Sequence, residues 1–141
     1  MVRKGRMKMK RSEVRESAFL LTFEKLLNDD SVEEIIDIAL EADVFDINND
    51  AKQLFINVNS KGSELDEIIA KYSEKRQLSR IPKVSIALLR IAIYEIMYDD
   101  KVPVNVAISE AVILSKKYSF DTDVQFVNGV LGAFSRSREA V

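Results

Sequence analysis

Cysteine and histidine are both absent from the 141 residues. The first absence excludes disulfides and thiolate metal sites. The second removes the commonest general base and metal ligand. Glycine occurs only four times, and no G-x-G-x-x-G or Walker loop is present to cradle a phosphate. An active site would have to be built from carboxylates, lysines and hydroxyls alone, so the expectation is a protein without catalysis and without a cofactor. No run approaches the roughly 18 apolar residues of a membrane span, and no signal-peptide-like stretch follows the basic N-terminus. The chain reads as cytoplasmic, with no membrane partner.

What is present is ordinary in amount and uneven in placement. Hydrophobic residues make up 47% and charged residues 31%, with a formal net charge of −2. Residues 1–11 carry six cations (Arg3, Lys4, Arg6, Lys8, Lys10, Arg11) and no acid, whereas residues 31–70 hold ten acids against Lys52 and Lys61. Residues 71–141 return to eleven cations against eight acids. Such segregation gives a globally acidic chain a local positive potential. The acidic stretch 31–50 reads as a solvated face.

Helical periodicity dominates, and only two prolines interrupt it. A first helix is predicted over Ser12–Leu27, with Val14, Ala18, Phe19, Leu21, Phe23 and Leu26 on its apolar stripe. Ser31 and Glu34 form a capping box for a second helix, whose inner face is Val32, Ile35, Ile36, Ala39 and Leu40. A third carries Leu54, Phe55 and Val58 and ends near Gly62, which is expected to take a left-handed conformation. Ser63 is expected to cap a fourth, through about Glu74. Pro82 fits the first turn of a fifth helix, apolar on nearly every side from Val84 to Tyr98. A sixth spans Val104–Tyr118, and Asp121 to Asp123 cap a seventh over Val124–Ser137. The expected fold is all-α, about seven helices in a bundle of two small subdomains, residues 11–60 and 63–138, behind a flexible basic arm at 1–10. Gly129 and Gly132 inside the last helix suggest close helix–helix approach. Arg90 is expected to pair with Glu95 or Glu110, since a buried charge needs a partner.

Several blocks carry a family likeness. The segment Val102-Pro103-Val104-Asn105-Val106-Ala107-Ile108-Ser109-Glu110-Ala111-Val112 leads into Leu114-Ser115-Lys116-Lys117-Tyr118, and Phe126-Val127-Asn128-Gly129-Val130-Leu131 follows. Upstream stand Leu89-Arg90-Ile91-Ala92-Ile93-Tyr94-Glu95 and, near the N-terminus, Arg15-Glu16 with Ala18. In this order the blocks resemble the pattern of the transcription antitermination factors of the NusB family, from about Arg11 to Phe134. Departures are Glu13 where that family has arginine, Ser109 for asparagine, Ile113 for glutamate and Ser85 for an acid.

The resemblance implies an RNA-binding factor that pairs with the ribosomal protein NusE. Together they would bind single-stranded boxA-like RNA within the RNA polymerase antitermination complex and promote read-through in ribosomal RNA operons; a homodimer stays open. On this reading Lys8, Lys10, Arg11 and Arg15 neutralise phosphates, Arg11 and Arg15 being one helical turn apart. Phe23, Tyr118 and Phe126 offer π faces to unpaired bases. Lys116, Lys117, Thr122 and Gln125 supply charge and hydrogen bonds around them. The arm and first helix are expected to converge with the end of the chain on one strand of RNA. Lys83, Ser85, Glu95 and Glu110 are the expected partner contacts. A protein-binding helical adaptor without RNA is the competing class.

Overall fold

Glu13 sets the start of the chain's first helix: its Oε1 accepts the backbone N–H of Lys10 at 2.8 Å, closing one of the free donors at a helix N-terminus. The computed structural model describes residues 8–74 and 76–139. The arm cations Arg3, Lys4 and Arg6, and Lys75 of the basic connection, lie outside the described residues. Seven α-helices are present among the described residues, with no strand. No helix among them is long and apolar enough to cross a membrane. The chain divides into two compact units, one ending at Ser60 and the other beginning at Lys61.

The first unit holds α1 (Arg11–Leu27), α2 (Val32–Ala42) and α3 (Asn49–Ser60). Val14, Ala18, Phe19 and Leu21 of α1 are buried, the stripe a 3.6-residue period requires. α1 packs on both α2 and α3, and Ala51, Phe55 and Val58 of α3 are fully enclosed. The capping box at α2 is formed as read: the Glu34 N–H donates to the Ser31 hydroxyl at 3.2 Å, and the Ser31 N–H donates to Glu34 Oε1 at 3.0 Å. The second bond, with the Ser31 hydroxyl, holds the Glu34 carboxyl below its ordinary range. Asp43 ends α2 in the left-handed region (φ 51°), and the Asn48 side chain accepts the Ala51 N–H at 2.9 Å to open α3.

The second unit holds α4 (Gly62–Tyr72), a single 3-10 turn (Leu78–Arg80), α5 (Lys83–Tyr98), α6 (Val104–Tyr118) and α7 (Asp121–Glu139). α5 packs against α4, α6 and α7, which is why it can be apolar all round. Leu88, Leu89, Ile93 and Leu131 are buried among these helices. Each such side chain contributes roughly 1.5–3 kcal/mol by leaving water.

Five local expectations change. Gly62 opens α4 rather than ending α3, and no glycine has a positive φ among the described residues. Its lack of a side chain instead faces Arg90, whose guanidinium would lie 3.4 Å from an added Cβ. Ser63 therefore falls inside the helix, and the N-cap position is Lys61. Arg90 pairs with Asp66 of α4 through two bonds of 2.9 and 2.7 Å, because the face of α5 that carries it looks toward α4. α7 begins three residues early, at Asp121, with the Phe120 N–H donating to Asp123 Oδ2 at 3.4 Å. Gly129 meets nothing: a Cβ built there has no neighbour within 4 Å, so it marks no close helix crossing.

Candidate nucleic-acid interface

In the first unit, Lys8, Lys10 and Arg11 are exposed at the entry to α1. Arg15, one turn later, is only 4% exposed. The two arginines therefore do not present a matched pair of solvated guanidinium groups, because Arg15 lies on the side of α1 that also buries Val14 and Ala18. Phe23 is half-buried, its ring stacked on Phe19 with centroids 6.3 Å apart. Glu13, which costs the α1 row a cation relative to the family pattern, is the residue that caps the helix.

In the second unit the end of α6 and the start of α7 adjoin through one short turn. Lys116 and Lys117 are exposed in the last turn of α6, where cations also complement the helix dipole. The Lys117 ammonium stands 5.4 Å from the Tyr118 ring, and Tyr118 is half-buried. Ser119 closes α6, its N–H donating to the Ser115 carbonyl at 2.8 Å. Thr122 and Gln125 are exposed on the first turns of α7, and Phe126 is half-buried.

Sequence reading missed Phe120, which is 80% exposed in this turn. Its signal was there: an aromatic between a helix-ending serine and a capping aspartate lies outside any core periodicity. Reading also missed Arg76, whose guanidinium carbon sits 4.3 Å from the Phe126 ring centroid. This pair lines a groove of about 560 Å³ between the end of α4 and α7, with Lys71, Tyr72, Gly129 and Arg136. A hydrogen bond with Ser137, aided by the charge of Lys71, holds the Tyr72 phenol below its ordinary value.

Of the expected partner contacts, Lys83 is exposed in the first turn of α5 and Glu110 is half-buried on α6. Ser85 and Glu95 are 0% and 2% exposed, so they reach a partner only through the helix that carries them. The Ser85 hydroxyl has no hydrogen-bond partner among the described residues. Beside Glu110, Val106 and Ile113 stand exposed on α6 at 38% and 53%.

Comparison with known proteins places this geometry in context. The transcription antitermination protein NusB of Acetivibrio thermocellus is 41% identical over 129 residues, spanning 88% of this chain and 87% of that one. Among solved structures, NusB of T. maritima superposes with a TM-score of 0.81 at 29% identity, covering 92% of this chain and 93% of the other. A NusB chain from a complex of the antitermination factors NusB and NusE with double-stranded RNA gives a TM-score of 0.79 at 25% identity, covering 90% and 96%. The family model described as the NusB family matches residues 12–136. With its seven helices and its cation-bearing helix ends, the chain belongs to the NusB family.

Proposed function

We propose that this protein is a cytoplasmic, non-catalytic transcription antitermination factor that binds single-stranded boxA-type RNA together with a NusE-type ribosomal protein, as part of an RNA polymerase antitermination complex. The observation that carries the reading is the likeness, over 90% of the chain, to a NusB held in complex with NusE and double-stranded RNA; the choice of a single strand rests on the aromatic surface near the helix ends, which suits unpaired bases. Phosphate contacts fall to Lys8, Lys10 and Arg11 in the first unit and to Lys116 and Lys117 in the second, all exposed. Arg15 contributes through the little surface left to it. Tyr118, Phe23 and Phe126 provide aromatic surface, with Thr122 and Gln125 as hydrogen-bonding neighbours. The protein partner docks on the α6 stripe of Val106, Glu110 and Ile113 and on Lys83, with Ser85 and Glu95 setting the position of α5 beneath.

The test is a titration of labelled single-stranded boxA-type RNA, with and without NusE, over a range of salt. Three phosphate contacts by the first unit give a slope of log affinity against log salt of roughly −2 on single-stranded RNA, and the two of the second unit by themselves roughly −1.4. Reversing the charge of Lys10 and Arg11 lowers affinity and flattens the first of these slopes. Partner binding by the wild-type chain with no RNA affinity, alone or in the NusE complex, would replace this reading with that of a protein-binding adaptor, which the exposed apolar pair on α6 favours.

A further inference from the structure

The groove between the end of α4 and α7 carries three features that packing does not require. Gly129 sits in the middle of a 19-residue helix, where glycine is less favourable than alanine by backbone entropy. Yet, apart from its chain neighbours and the adjoining backbone of its own helix, no described atom lies within 4 Å of where its Cβ would be. Nothing in the fold asks for a glycine there; what the missing side chain keeps clear is the floor of the groove. Arg76 is exposed, its guanidinium carbon 4.3 Å from the centroid of the Phe126 ring, within cation–π distance.

The third feature is how Arg76 is held. Ser73 is 3% exposed, and its hydroxyl reaches the carbonyls of Ala70 (3.2 Å) and Arg76 (3.0 Å). The Arg76 N–H donates back to the Ser73 carbonyl at 3.2 Å, and Glu74 takes a left-handed φ of 52°. A serine buried at the end of α4 thus anchors the backbone of the arginine, and Phe126 orients its side chain. Lys71 and Arg136 line the same groove, so with Arg76 three cations face one acid, Glu74.

We propose that Arg76, rather than the Phe126 ring, is the surface on which an unpaired RNA base stacks, with Phe126 behind it and the space above Gly129 receiving the base. Guanidinium planes stack on bases as aromatic rings do. A guanidinium already backed by a phenyl ring presents one free face and an edge of N–H donors to the base or its phosphate. Lys71 and Arg136 meet the flanking backbone charge. A carboxylate ligand would take the guanidinium edge-on and leave both the planar face and the open floor unused. The proposal rests on the RNA-binding reading above and adds to it a base-stacking residue and a subsite.

The experiment uses the full chain with its NusE partner and single-stranded boxA-type RNAs that each carry 2-aminopurine at one position. With the wild-type chain, one position shows a stacking change in fluorescence on binding. Arg76→Ala lowers affinity by roughly 5- to 150-fold, the worth of one stacked base, and abolishes that signal. Arg76→Lys keeps the charge but loses the plane, so the signal disappears while the salt slope stays unchanged. Gly129→Gln fills the floor without altering charge; it folds with a thermal midpoint no lower than the parent and loses the same signal. Parental affinity and fluorescence in both Arg76→Ala and Gly129→Gln would overturn the subsite and leave RNA binding standing. A wild-type chain that binds no RNA overturns the broader reading, and capture of an acidic protein partner by this groove, blocked by Gly129→Gln, overturns the choice of ligand.

Discussion

Asp66→Asn tests how the second unit is tied together. The parent side chain offers two carboxylate oxygens to Arg90, at 2.9 and 2.7 Å, with side-chain exposures of 28% for Asp66 and 12% for Arg90. Asparagine keeps the shape but replaces one acceptor with an N–H group aimed at a donor. One charged hydrogen bond is lost and a largely covered guanidinium nitrogen is left unpaired. Hydrogen bonds to charged groups are worth about 1.5–3 kcal/mol. A fully buried pair costs about 3–5 kcal/mol to break, but water still reaches Asp66, so the expected loss is about 2 kcal/mol. If the unit beginning at Lys61 unfolds by itself, its 81 residues (141 − 60) carry about 0.17 kcal/mol/K of unfolding entropy, which makes the shift in midpoint roughly 12 °C. If the whole chain unfolds together, the shift is nearer 7 °C. Urea denaturation followed by tyrosine fluorescence and by circular dichroism measures the loss. A double-mutant cycle with Arg90→Gln isolates the pair. A loss below about 0.5 kcal/mol, or a coupling energy near zero, would show that the ion pair does not hold α4 to α5 and would refute the argument.

Further outcomes follow from the same geometry. Phe55→Ala removes a fully enclosed ring from the first unit and should cost about 3–5 kcal/mol in chemical denaturation. Ser31→Ala should cost about 1 kcal/mol, read as earlier melting of helical dichroism. The Glu34 carboxyl lies below its ordinary value through its bonds to Ser31, so the capping contribution is complete above the unfolded glutamate range and is lost as pH falls through the lower folded value; an NMR titration of Glu34 follows it directly. The Tyr98 phenol is raised by donating to Glu64, so that bond contributes below the ordinary tyrosine value and is lost as pH rises beyond it, visible as delayed phenolate absorbance that Glu64→Gln advances. Phe120→Ser, at an 80% exposed position, should leave stability within about 0.5 kcal/mol while reducing RNA affinity. Parental affinity would remove Phe120 from the interface.

Local patterns carried most of the fold. The Ser31–Glu34 box, the stripe Val14–Ala18–Leu21 and the all-round apolar α5 each obey a rule that spans four or five residues, and a rule of that range can be read without knowing the fold. The misreadings are non-local. Arg90 finds its partner 24 residues away, and Gly62 is shaped by that same distant arginine. Gly129 looked like a packing glycine because a sequence shows that a side chain is missing but not what faces the gap. The candidate interface was legible as a list of cations and aromatics near helix ends. What could not be read was exposure: Arg15 and Arg11 differ by one turn, yet one is buried and the other open.

The bond between Lys10 and Glu13 bears on the energetics of RNA capture. An arm that must become ordered on binding loses about 1–2 kcal/mol of backbone freedom per residue fixed, and that loss is subtracted from each phosphate contact. By clamping the amide of Lys10 to the first turn of α1, the chain has Lys10 and Arg11 already ordered before any ligand arrives. A carboxylate at position 13 thus exchanges one long-range attraction for two pre-positioned ones, and its removal should make association more enthalpic, more entropically opposed and slower to lock.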